Sequence, residues 1–122
     1  MKTPGFRNLQ VWQRSMTLAR DVFRLTESFP KSQMFGLTSQ MQRCSVSVPS
    51  NIAEGHGRMS DKSFGLFLSQ ARGSLNELET QLELAQQLEF AKPDQCKRLL
   101  QEIKEVGKML NALLTAVRHR ER

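Results

Sequence analysis

Tyrosine is absent from this chain of 122 residues, tryptophan occurs once and cysteine twice. Without tyrosine, and without aromatics interleaved among its basic residues, the sequence lacks the stacking platforms of single-strand nucleic-acid binders. Cys44 and Cys96 stand apart with no Cys-x-x-Cys spacing, so they read as reduced, small core or surface residues. No HExxH, P-loop or zinc-ligand spacing occurs, and neither a metal nor a cofactor is expected. No apolar run approaches the roughly 18 residues of a membrane span. The first ten residues carry no apolar signal-peptide stretch, so a cytoplasmic protein with no membrane partner is expected. There is no internal repeat, linker or low-complexity tract, and the length fits a single domain over residues 1–122.

What the sequence does have is a lopsided charge. The formal net charge is +6. Residues 1–72 hold ten Lys/Arg against four Asp/Glu, whereas residues 73–122 hold eight of each. The whole excess therefore sits in the first part of the chain. A basic excess points to an acidic partner such as RNA, DNA or an anionic protein.

Four segments show helical periodicity, which predicts an all-α fold: an antiparallel up-down four-helix bundle over about residues 8–118 with frayed termini. In the first segment, about Asn8 to Ser28, Leu9, Trp12, Met16, Ala19 and Phe23 form one apolar line. Leu18, Val22, Leu25 and Phe29 form a second, and Pro30 ends the helix. The two lines span about half the helix circumference, more than one bundle face needs. The second segment, about Gln33 to Glu54 with Ser32 as its expected N-cap, has the stripe Leu37, Met41, Cys44, Val48 and Ile52. Ser39, Val46, Ser50 and Ala53 make a small-residue side. The serine-alternating Cys44–Val48 stretch is the only strand-like pattern, and it lies inside this helix. Pro49 should kink the second helix, because it has no N–H to donate to the carbonyl four residues back. Gly55 is expected as a left-handed C-cap, and Ser60 as the N-cap of a third helix with Asp61 in its first turn. That helix carries Phe64, Phe67, Leu68, Ala71, Leu75, Leu78, Leu82 and Ala85 along one face. In the fourth segment Leu99, Ile103, Val106, Leu110, Leu113 and Val117 take the a/d spacing of bundle packing.

Several strings carry a family resemblance. They are Phe6-x-x-Leu9-x-Val11-Trp12, Ser28-Phe29-Pro30, Phe35-Gly36-Leu37-Thr38-Ser39-Gln40-Met41-x-Arg43, Ser47 to Gly55 with Gly57-Arg58, and Ala71 to Leu82. Over about residues 6–115 the chain resembles the four-helix-bundle family named for proteins encoded in intervening sequences of 23S ribosomal RNA. The resemblance implies a ring-like homo-oligomer, a pentamer, whose biochemical role is unassigned in most members. The family is similar to the accessory protein of diversity-generating retroelements, a basic barrel that engages nucleic acid and a reverse transcriptase. Arg43-Cys44-Ser45 departs from the family's Arg followed by alanines, and Phe23 stands where a tyrosine is common.

His56 sits among glycines beside Glu54 and Arg58 with no nucleophile or second ligand in sequence, so no catalytic residue is assigned and no enzyme is expected. Arg58, Ser60 and Lys62 surround the start of the third helix, where phosphate could meet free N–H groups. A local Arg58–Glu54 or Arg58–Asp61 pair is the plainer expectation. Arg14, Arg20 and Arg24 lie on the polar arc of the first helix and are expected to be exposed. Arg43 lies between the small-residue side and the apolar stripe, suited to a subunit contact, and Arg72 shares a face with Glu79 and Glu83, which would neutralise it. These seven are the candidate nucleic-acid-binding residues: Arg14, Arg20, Arg24, Arg43, Arg58, Lys62 and Arg72. Any contact would be to phosphate, salt-sensitive and poor in sequence readout. Pro49, Asn51, Glu54 and Gly55 form a structural motif, with Asn51 and Glu54 read as a hydrogen-bond node that fixes register. The wide apolar arc of the first helix calls for a second burial surface and hence self-association. The expected function is a non-enzymatic homo-oligomer binding RNA or DNA. The alternative is an adaptor that docks a protein partner without nucleic acid.

Overall fold

The computed structural model describes residues 5–121. Its helices are α1 (Gln10–Thr26), α2 (Leu37–His56), α3 (Asp61–Gln87) and α4 (Pro93–Arg120), with short 3-10 turns at Phe6–Asn8 and Lys31–Gln33. The fold is all-α, no strand occurs among the described residues, and Cys44–Val48 is helical. Among the described residues no helix is long and apolar enough to cross a membrane.

The apolar stripes meet in one core. Leu18, Val22, Met41, Ile52, Leu68, Leu78, Leu82, Val106 and Leu110 are almost wholly removed from solvent. Each such residue contributes about 1.5–3 kcal/mol relative to leaving it exposed. Contacts along neighbouring helices step in opposite chain directions. Between α2 and α3, Gly55 meets Phe67, Ser47 meets Ser74, and Cys44 meets Glu77. Between α3 and α4, Arg120 reaches Asp61, Arg118 reaches Ser69, and Arg72 reaches Asn111. α1 packs on α2 and α4, and its backbone does not come close to that of α3, so α1 and α3 lie on the diagonal across the shared core.

Four local expectations are corrected. Ser32 does not cap α2: Gln33 N–H and Met34 N–H bond to Pro30 O and Lys31 O, closing a 3-10 turn around Ser32, and α2 starts later, at Leu37. Gly55 is not a left-handed cap. It lies within α2, no described glycine has positive φ, and its missing side chain allows close approach of α3. In the α2 stripe Ser45 is buried and Cys44 is only half-buried, because the Ser45 hydroxyl donates to Gln42 O at 2.8 Å within its own helix. In α4 Leu114 replaces Leu113 in the core. α4 extends to Arg120, with Arg118 donating to Ser69 Oγ and Arg120 to Asp61 of α3. Fraying expected at residues 1–4 and at Arg122 lies outside the described residues. Ser60 caps α3 as expected, its Oγ accepting from Ser63 N–H at 3.1 Å.

Candidate functional site

The two apolar lines of α1 have different fates. Leu18, Val22, Leu25 and Phe29 enter the core. On the other line Met16 and Phe23 stay open, 45% and 41% exposed, and Val46 of α2 beside them is 43% exposed. Together they wall a trough of about 440 Å³ between α1 and α2, floored by the small or compact Ala19, Pro49, Ser50 and Ala53. Trp12 closes one wall, with Phe6 edge-on to it at 5.2 Å. The trough continues past Phe23 and Val46 to Ser39 and Arg43, and in the other direction past Phe6 and Ala53 to Gly57 and Arg58. The small-residue side of α2 is therefore not a contact with another helix of the same chain. It is one side of an open surface that is apolar in its middle, from Val46 to Ala53, and is continued by polar residues toward Ser39 and toward Arg58.

The basic candidates are dispersed. Arg14 reaches Glu102 of α4 at 3.2 Å and is half-buried. Arg20 pairs with its neighbour Asp21 at 3.3 Å. Arg58 pairs with Glu54 at 2.6 Å, and its guanidinium lies 4.8 Å from the Phe67 ring centre. Asp61 is taken by Arg120, not by Arg58. At the start of α3 the Ser63 N–H is thus already taken by Ser60 Oγ, and Asp61 places a negative charge where a phosphate would come. Arg72 does not meet Glu79 or Glu83. It donates to Asn111 Oδ1 at 3.2 Å, because it points across to α4 and the two glutamates are about two turns away or more along α3. Lys62 and Arg43 are exposed, and neither has a carboxylate within ion-pair reach among the described residues.

Arg24 is the exception to this dispersal. It shares a hollow between α1 and α4 with Arg98, Gln95 and Asp21, and Asp21 is already engaged by Arg20. Two like charges in one hollow repel unless an anion joins them. Arg98 was not distinguishable by sequence, because only the packing of α4 on α1 brings it to Arg24.

The sequence matches the model of the 23S rRNA-intervening sequence protein family over residues 7–112. The chain belongs to this family. It is also similar to a crystal structure of a protein of unknown function from the S23 ribosomal protein family of Bacteroides thetaiotaomicron. The TM-score is 0.80 at 25% identity, covering 86% of this chain and 95% of that one. No curated protein matches the sequence.

In this 23S rRNA-intervening sequence family member the polar motif of α2 divides in two. Asn51 Nδ2 donates to Ser47 O at 2.9 Å and to Ser47 Oγ at 3.0 Å, and Ser47 shares a hydrogen bond with Ser74 of α3 at 2.8 Å. Glu54 stays out of this node and faces solvent with Arg58. Beyond the node, Cys44 Sγ donates to Glu77 Oε2 at 3.2 Å. Burial, and then the adjacent Glu77 carboxylate, push the Cys44 thiol up to about 11. Burial also raises the Cys96 thiol, with Asp94 adding to it. Neither is an activated nucleophile, since reactivity requires thiolate. The His56 ring packs edge-on against Phe64 at 5.7 Å.

Proposed function

We propose that this protein is a non-enzymatic bundle that assembles with copies of itself into a closed ring and holds nucleic acid through phosphate contacts. The observation carrying this proposal is the placement of two unlike features on opposite flanks of α1. An apolar trough lies toward α2, and the Arg24–Arg98 hollow lies toward α4. An apolar surface left open in the single chain suits burial against protein. Two arginines lining one hollow suit a phosphate, whose oxygens accept charge-assisted hydrogen bonds from guanidinium groups. The family resemblance favours five copies in the ring. Each added copy brings a further formal +6, so a charge that is modest in one chain becomes a strong field in the assembly.

The test combines light scattering with titration of a structured RNA and a DNA duplex at low and moderate salt. A multimer whose nucleic-acid affinity falls steeply with salt is the expected result. A monomer at micromolar concentration overturns the assembly. A multimer that binds neither nucleic acid at low salt leaves the second reading, an adaptor for a protein partner. The apolar lining of the trough favours that reading, and its binding would depend little on salt.

A further inference from the structure

The trough lies on one side of the bundle, and a second unpartnered apolar feature lies on another. Along the outer face of α3, Leu66, Gly73 and Thr80 recur at seven-residue steps, and Leu84 and Leu88 continue the line at steps of four. Leu66, Leu84 and Leu88 are 59%, 44% and 48% exposed. A Cβ added at Gly73 would meet nothing within 4 Å, so the seam is open to close approach at that position, with exposed Glu77 one turn further along the same face. The seam runs about 33 Å from Leu66 to Leu88, and the trough runs about 27 Å along α2 from Ser39 to Gly57.

Resting on the self-assembly reading, we infer that the occupant of the trough is the α3 seam of a second copy of this chain. Three observations support this pairing. The two spans are comparable in length, and a helix laid in a groove with an apolar floor is a common way for such surfaces to associate. The charges are complementary: residues 73–91 contain Glu79, Glu83 and Glu89, besides the Glu77 that shares a hollow with Cys44 and Arg43 of its own chain, with no Lys or Arg, while Arg43, without a carboxylate in ion-pair reach among the described residues, stands at the margin of the trough. Finally, α3 is diagonal to α1, so seam and trough cannot meet within one chain and each copy presents both. Joining two different surfaces head to tail generates a ring when the rotation closes.

The experiment uses complementary variants of the full chain, with mass read by light scattering and folding by helical circular dichroism. Leu84→Glu/Leu88→Glu removes the seam and keeps the trough. Met16→Glu/Val46→Glu removes the trough and keeps the seam. Each alone is expected as a monomer of 14.0 kDa, and the equimolar mixture as a dimer of about twice that mass, because one intact seam meets one intact trough. Gly73→Gln adds bulk where the single chain has open space, so it is expected to keep full helicity and lose assembly. A mixture that stays monomeric overturns the head-to-tail pairing. An assembled wild type whose mass survives both the seam variant and Gly73→Gln overturns the seam while leaving self-assembly standing. A monomeric wild type at tens of micromolar overturns both.

Discussion

Gly55 of α2 lies against Phe67 of α3 so closely that a Cβ at position 55 would sit 2.6 Å from the Phe67 Cβ, and 3.0 Å from Phe64 Cδ1. The nearer atom is a first side-chain carbon fixed to the α3 backbone, so the clash cannot be relieved by a rotamer change. Gly55→Ala should therefore force the helices apart and destabilise the protein by about 1–3 kcal/mol. Gly107→Ala is the matched control. Its Cβ would meet Leu75 Cδ2 at an ordinary 3.5 Å, so the helical preference for alanine should win and add about 0.5–1 kcal/mol. Urea midpoints moving in opposite directions for the two variants are the expected result.

The Arg24–Arg98 hollow yields a quantitative salt prediction. An arginine already paired with a carboxylate releases few counterions when phosphate arrives, whereas an unpaired one releases close to a full ion. Arg24→Ala and Arg98→Ala should each lower the slope of log K against log salt by about 0.9 for duplex DNA. Arg14→Ala and Arg58→Ala, which remove cations tied to Glu102 and Glu54, should change it much less. Fluorescence titrations at several salt concentrations give all four slopes.

The helical stripes were legible because each repeats many times, and the errors fall where a stripe is long or a polar group is self-satisfied. A straight helix drifts by about 20° per heptad against a strict a/d pattern. Two heptads after Leu99, that drift turns Leu113 to the flank and brings Leu114 into the core. Ser45 could be buried in place of Cys44 only because its hydroxyl bonds to Gln42 O, a pairing the sequence does not advertise. The breadth of the apolar arc on α1 was visible in the sequence, and the trough is its structural counterpart. Arg98 was not visible, because its partner Arg24 is more than seventy residues away along the chain and the two meet only through packing of α1 on α4.

Asp61 couples two stabilising roles at one end of the bundle. It sits in the first turn of α3, where a negative charge interacts favourably with the helix dipole, and it pairs with Arg120 of α4 at 3.2 Å. The pair is solvent-exposed, so its contribution is small and screened. Asp61→Asn should lower stability by about 0.5–1.5 kcal/mol at low ionic strength. Most of that difference should vanish near 1 M salt, where the Debye length is about 3 Å. Thermal unfolding of both proteins at the two ionic strengths checks it.

Cys44 makes stability depend on pH on the alkaline side. Its thiol is pushed from 9.0 to about 11 by burial and by Glu77, so the native state holds this proton to higher pH than the unfolded chain does. Between those values the native state binds more protons, and stability falls as pH rises. The stabilisation is fully present below pH 9 and is lost as pH passes through about 11. Cys44→Ala should remove this part of the slope, so wild type should lose stability relative to the variant between pH 9 and 11 in urea melts. The same shift protects the thiol chemically. Near pH 8 a two-unit rise leaves about a hundredfold less thiolate than an ordinary cysteine has, and the greater nucleophilicity of the more basic thiolate offsets about tenfold of that, so Cys44 should react with iodoacetamide about tenfold more slowly than a free thiol. Mass spectrometry of the folded protein over a time course reads that rate directly, and a rate equal to that of a free thiol would refute the Glu77 contact as its environment.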